Sequence, residues 1–240
     1  MFLGVIDLTA VFFDLDDTLY DQLQPFQSAF NSLFSHITDV TILDLYKKSR
    51  EYSDRVFPLT ESGKMTVEEM NKNRVIYAFD HFHYQISEEE AMHFQEIYKE
   101  HQYKISLVPE MENILNYLSS KNVPLYILTN GHSNHQRLKL EALNPFQWIP
   151  QNNIFVSSEV GYSKPQKEIF EYVNAQTNTT ASESFIIGDS FENDIMGAHN
   201  AKWNSIWLNT KQRKMPSNER HPNYEATSYR ELEELIKNTF

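Results

Sequence analysis

No cysteine occurs among the 240 residues, which removes disulfides, thiolate metal sites and thiol nucleophiles together. Glycine (6) and proline (9) are scarce, while 40% of the residues are hydrophobic and 13% aromatic. That balance argues against fibrous and disordered classes and for a substantial core. Basic residues are also few: 21 Lys and Arg against 33 Asp and Glu leave a net charge of -12. Such a surface does not displace counterions from a phosphate backbone, which argues against nucleic acid polymers as partners but allows a small anion in a local pocket. No apolar run approaches the roughly 20 residues that a membrane helix needs. The N-terminal MFLGVIDLTA has no Lys or Arg ahead of its apolar residues and carries Asp7, the wrong pattern for a secretory signal. The expectation is a cytoplasmic globular protein with no membrane contact.

What is present is a rhythm. Short apolar runs at VFFD (11–14), PLYILT (124–129), NIFVS (153–157), SFIIG (184–188) and NSIWL (204–208) alternate, after residue 105, with helical segments such as PEMENILNYLSS, KEIFEYV and NDIMGAHNA. Strand–helix–strand order predicts an α/β fold with a doubly wound parallel sheet covered by helices on both faces. Residues 22–104 break the rhythm. In FQSAFNSLF, Phe26, Phe30, Leu33 and Phe34 follow helical spacing. An insertion after the first strand is expected to form an α-helical cap domain at that strand's carboxyl end, which leaves 1–21 and 105–240 as the core domain. The stretch 210–225 reads as a polar surface loop before a last helix, SYRELEELIKN.

The first apolar run ends in DLDDT, placing Asp14, Asp16 and Asp17 within four positions. In an extended chain Asp14 and Asp16 face one side while Leu15 points away. Two adjacent carboxylates are unfavourable without a cation or a shared proton, and an all-oxygen ligand set points to Mg2+ rather than zinc. Alone, such a cluster can equally form a turn or cap a helix. Three further strand ends add to it. Thr129, Asn130 and Gly131 offer a hydroxyl and backbone N–H groups suited to phosphate oxygens, although TNG is also an ordinary turn. Lys164 precedes Pro165, which opposes helical geometry at the lysine. Gly188 and Asp189 close SFIIGD, with Asp194 near the next helix start, where a carboxylate also suits the helix dipole. All four groups fall at the carboxyl ends of predicted parallel strands, where open α/β sheets bind ligands.

Taken in order, DLDDT (14–18), the Thr129 strand end, Lys164 before Pro165 and GDSFEND (188–194) resemble the four signature blocks of the haloacid dehalogenase (HAD) superfamily of phosphohydrolases. The resemblance covers the core; the cap matches in position and helical character only. It implies a Rossmann-like core and a covalent mechanism in which Asp14 attacks phosphorus and Asp16 acts as general acid and then base. It also implies Mg2+ held by Asp14, Asp189 and the main-chain carbonyl of Asp16. Thr129, the Asn130 N–H and Lys164 would bind the transferring group, with Asp194, Thr18 and Gly131 in support.

Asp16 distinguishes activities within that family, because a halide leaving group needs no proton and an alkoxide does. A phosphatase is therefore expected before a dehalogenase. The phosphonatase branch would need a Schiff-base lysine that nothing marks among Lys47, Lys48, Lys64 and Lys72, and a mutase is a further alternative. The stretches LTNG, VSSEVGYSKPQKEIF and GDSFENDIMGA look like the pyrimidine 5'-nucleotidase branch, and phosphatases of flavin mononucleotide or sugar phosphates look similar in the same places. Phe26, Phe30, Tyr46, Tyr52, Phe57, Phe79 and Phe82 can stack a base, but helical periodicity alone predicts that they pack. His81, His83, His132 and His135 lack metal-ligand spacing with carboxylates. A non-enzymatic phospho-acceptor module would share the sheet but not the large insertion. The expected partner is a small phosphorylated metabolite, and the expected state a monomer or small homo-oligomer.

Overall fold

β1 (Ala10–Phe13), β2 (Leu125–Thr129), β3 (Ile154–Val156), β4 (Ser184–Gly188), β5 (Asn204–Leu208) and β6 (Tyr224–Ala226) form one sheet in the order β3-β2-β1-β4-β5-β6. Every pairing is parallel. The computed structural model describes residues 9–217 and 219–240, without the Glu61 side chain. The expectation drawn from the N-terminal residues, that they carry no secretory signal, rests mainly on positions 1–8, outside the described residues. Among the described residues no helix is long and apolar enough to cross a membrane.

Ala10, Val11, Phe12 and Phe13 are all fully buried, as a central parallel strand covered on both faces must be, which is why it reads as an unbroken apolar run. The chain builds β2 and β3 to one side of β1, then crosses to build β4, β5 and β6 on the other. The order reverses at β1 and β4, so the loops after these two strands open into the crevice that such a reversal creates. Phe12 stacks on Tyr126 at 4.6 Å and lies 4.5 Å from Trp203; with Leu128, Ile169, Phe170 and Ile186 it forms the core on one side of the sheet.

Two compact units are resolved: Met1–Asp21 with Ser106–Phe240, and Gln22–Ile105. The second unit is built from α1 (Leu23–Leu33), α2 (Ile42–Glu61), α3 (Val67–His81) and α4 (Glu88–Gln102). Capping boxes at Thr66/Glu69 and Ser87/Glu90 start α3 and α4 by satisfying N–H groups that the first helical turn leaves unpaired. Phe26, Phe30, Tyr46 and Phe79 lie in this unit's buried core, with Phe26 5.4 Å from Tyr46 and 5.0 Å from Phe94. These rings pack with one another. Phe57 is the exception at 41% exposed.

The sheet unit continues with α5 (Pro109–Ser120), α6 (Ser133–Leu143), α7 (Ser157–Val160), α8 (Lys167–Thr177), α9 (Gly197–Asn200) and α10 (Tyr229–Thr239). Three local expectations need correction. The stretch 210–225 is not loop throughout, because its end joins β6, which pairs Tyr224 with Ile206. With Tyr224 and Glu225 exposed, a three-residue edge strand leaves no alternating apolar pattern to read. Ser157 belongs to α7 rather than β3. NDIMGAHNA is not one regular helix: Phe191–Met196 makes a wide π-type turn before α9, with Ile195 N–H donating to Ser190 O at 3.4 Å. Such turns recur where a helix must present a functional side chain.

Candidate active site

Asp14 follows β1 directly, and its N–H continues the ladder to Ile187 O at 2.9 Å. Lys164, from the segment between α7 and α8, is 3% exposed. Its ammonium donates to Asp14 Oδ1 (2.7 Å), Asp194 Oδ1 (2.6 Å) and Leu128 O (2.9 Å). All three lysine N–H groups are committed, so Lys164 meets an incoming anion with its charge rather than with a spare hydrogen bond. Asp14 and Asp194 outweigh the cost of burial and hold Lys164 protonated above the ordinary lysine range.

Asp189, at the end of β4, completes the acidic cluster. One carboxylate oxygen from each of Asp14, Asp189 and Asp194 lies within 4.8 Å of the others. Burial pushes the Asp14 carboxyl up to about 7; Lys164 opposes the rise, while Asp194 and Asp16 add to it. Burial and the Asp17 carboxylate likewise push Asp189 well above its ordinary value, against Arg213 and Lys211. Asp14 and Asp194 are buried beside Lys164, Asp189 is half-buried, and the donors the three offer are all oxygen. That combination fits a hard divalent cation such as Mg2+ and does not fit zinc or copper.

Asp194 can reach this cluster because residue 188 is glycine. A Cβ there would meet Asp194 Oδ2 at 2.2 Å, closer than any real contact, so only glycine lets the carboxylate lie across the strand end. Its Oδ2 also accepts the Ser190 N–H at 3.0 Å, so it serves the turn as well as the cluster. Trp207 fixes the Asp189 backbone by donating to its carbonyl at 2.9 Å.

Asp16 lies in the loop after β1. β1 ends at Phe13 and Asp17 takes a left-handed backbone, φ 57, so strand alternation no longer governs the loop. Lys139 Nζ donates to Asp16 Oδ1 at 2.7 Å, Gln136 Nε2 donates to Oδ2 at 3.0 Å, and Tyr20 Oη donates to Oδ1. Burial alone would raise Asp16, but Lys139, Tyr20 and Gln136 outweigh it and hold the carboxyl below the ordinary range. Thr18 is fully buried, and its hydroxyl has no hydrogen-bond partner.

The Thr129 hydroxyl accepts from Gln136 Nε2 at 2.7 Å. Asn130 has a role that its strand-end position did not suggest: its side chain donates to Lys164 O (2.8 Å) and accepts the Lys164 N–H (2.9 Å), so it clamps the backbone that carries the lysine. Gly131 has φ +148, and a Cβ there would meet Gln136 Cγ at 2.9 Å. Its N–H donates to Ser157 Oγ at 2.9 Å.

Sequence reasoning missed four contributors. Lys211 pairs with Asp17, and Arg213 lies 3.4 Å from Asp189; both come from the loop read as surface. Gln136 and Lys139 come from α6. A signal for them existed: with Leu140 and Leu143 they are the buried residues of that helix, at the i, i+3, i+4, i+7 positions of one face. Two polar residues on a core face imply buried partners.

The model of the haloacid dehalogenase-like hydrolase family matches residues 11–208. YfnB of Bacillus subtilis (strain 168), which carries the name of a HAD-hydrolase, is 31% identical over 93% of this chain and 92% of its own. The pyrimidine 5'-nucleotidase YjjG of Escherichia coli (strain K12) is 34% identical over 54% of this chain and 56% of its own. The pyrimidine 5'-nucleotidase PynA of Streptococcus pneumoniae (strain ATCC BAA-255 / R6) is 26% identical over 92% and 91%. Among solved structures, YfnB bound to magnesium has a TM-score of 0.69 at 26% identity, covering 95% of this chain and 97% of that one. A dehalogenase is similar in fold, with a TM-score of 0.74 at 16% identity, covering 96% and 98%.

Proposed function

The chain belongs to the haloacid dehalogenase-like hydrolase family, and within it we propose a Mg2+-dependent phosphatase of small phosphomonoesters, with pyrimidine nucleoside 5'-monophosphates as the preferred substrates. The observation that carries the reading is the convergence of Asp14, Lys164, Asp189 and Asp194, from three separated parts of the chain, around one point. The nucleotide preference rests on the similarity to YjjG and PynA. Asp16 favours phosphate esters over haloacids, and the likeness to the dehalogenase is one of fold.

Asp14, Asp189 and Asp194 are the side chains that would hold Mg2+, which when bound neutralises phosphoryl charge and orients the ester. Asp14 attacks phosphorus, forming an acyl phosphate as the P–O bond to the leaving group breaks. Asp16, held ionised in the free protein, must take up a proton as the ester's negative charge comes to lie beside it; it gives that proton to the departing oxygen and takes one from the water that later hydrolyses the acyl phosphate. Lys164 supplies positive charge beside the nucleophile throughout. Phosphoryl transfer asks chiefly for alignment and charge neutralisation, and this arrangement is suited to both.

Purified protein with magnesium should hydrolyse nucleoside monophosphates, flavin mononucleotide and sugar phosphates unequally, with pyrimidine nucleotides highest in kcat/KM and EDTA stopping every reaction. A different leading substrate would change the specificity assigned. No turnover of any monophosphate would remove the phosphatase reading.

Magnesium should also raise the unfolding temperature more at pH 8 than at pH 6. The Asp14 carboxyl is raised from an ordinary 3.8 to about 7 in the fold. The native state therefore binds this proton more tightly than the unfolded chain, and metal-free stability falls as pH rises from 3.8 through 7. Below 7 the proton must leave before the carboxylate can accept a dication, so affinity should weaken by about tenfold per pH unit. Equal magnesium shifts at the two pH values would exclude Asp14 as a ligand.

A further inference from the structure

Lys139 is a buried cation with no part in the scheme above. It is 3% exposed, and Gln136, one turn earlier on α6, is 1% exposed. Placing an ammonium on the inner face of a helix costs several kcal/mol in lost hydration unless its charge is answered. The answer here is Asp16, at 2.7 Å, with Gln136 Oε1 at 2.9 Å. The Gln136 amide is shared in turn: Nε2 lies 3.0 Å from Asp16 Oδ2, 2.7 Å from Thr129 Oγ1 and 3.2 Å from Asn130 O. One helix face thus grips both oxygens of Asp16, and the group holding one of them also holds the end of β2.

A carboxylate offers about four acceptor positions. Lys139 and Tyr20 use Oδ1, and Gln136 uses one position on Oδ2. The open position is on Oδ2, the oxygen tied through Gln136 to Thr129. Gly131 keeps that tie possible, since a side chain there would strike Gln136.

We infer that Lys139 and Gln136 are positioning residues for the proton transfers of Asp16, fixing its carboxylate relative to Thr129 so that Oδ2 carries the proton. The inference rests on the phosphatase reading. In the step concerned, the proton passes from Oδ2 to the ester oxygen as that oxygen takes the electron pair of the breaking P–O bond, and Asp16 is left as the carboxylate that Lys139 stabilises.

The test compares leaving groups. A nucleoside alkoxide needs the proton, whereas para-nitrophenolate departs without it, and kcat/KM reports this first transfer. With magnesium present, Lys139→Met should lower kcat/KM for a nucleoside 5'-monophosphate by about 100-fold, and for para-nitrophenyl phosphate by less than about tenfold. Gln136→Leu, which keeps the charge pair, carries the same comparison if Lys139→Met does not fold. Equal losses on both substrates, or none on either, would overturn the inference. Wild-type protein inert toward both would instead remove the phosphatase reading. In that event denaturant unfolding of metal-free protein still decides whether Lys139 holds Asp16: Lys139→Met should lower the midpoint and adding Asp16→Asn should recover most of the loss, whereas additive losses would overturn it.

Discussion

Asp14→Asn should reduce turnover on the order of 10^4-fold or more while leaving the fold intact. An amide of the same shape fills the site but does not attack phosphorus. The substitution also removes one of three carboxylates lying within 4.8 Å of one another, so it relieves repulsion in metal-free protein. Lys164 keeps Asp194 at 2.6 Å and Leu128 O at 2.9 Å, which leaves its charge paired. The unfolding temperature without metal should therefore stay level or rise, and magnesium should raise it less than in the wild type. Steady-state kinetics and thermal unfolding on the same preparation check both parts. Activity within tenfold of wild type would take the nucleophile's role from Asp14.

Lys164→Met should have the opposite balance, with a loss of stability as pronounced as the loss of rate. Removing one partner of a buried ion pair leaves the other uncompensated and typically costs about 3–5 kcal/mol. Here two carboxylates, Asp14 and Asp194, lose their shared cation, and Leu128 O loses its donor. Denaturant unfolding of metal-free protein measures this cost, and magnesium should recover part of it. The rate should fall about 10^2 to 10^3-fold even when metal is saturating, because a fixed charge beside the reacting phosphoryl group is gone. Unchanged stability would mean that Lys164 does not hold this cluster together. Lys164→Arg is not expected to rescue, since a planar guanidinium does not reproduce three diverging N–H groups at 2.6–2.9 Å.

Much of the sheet was legible before any coordinates. A strand covered on both faces must be apolar along its length, and VFFD, LYILT and SFIIG announce themselves in that way. β6 did not, because an edge strand with Tyr224 and Glu225 exposed looks like the loop before it. Asp14 and Asp189 stood out for a related reason: ionisable residues directly after buried strands have few benign explanations, whereas Lys164 lies beyond α7 and Asp194 within the turn before α9. For Asp16 the pattern named the residue but not its partners Lys139, Gln136 and Tyr20. Period-two alternation holds only while the chain is extended, and β1 stops at Phe13.

Composition and pattern by themselves determined the α/β class, the lack of thiol chemistry, and which strand ends carry charged groups, because burial imposes its periodicity on local sequence. Only the tertiary structure decided what those groups touch. Lys139 meets Asp16 across 123 positions of chain and Lys164 meets Asp14 across 150. Contacts between residues so far apart are set by the packing of α6 and of the Lys164 segment around the sheet, for which a linear pattern has no coordinate.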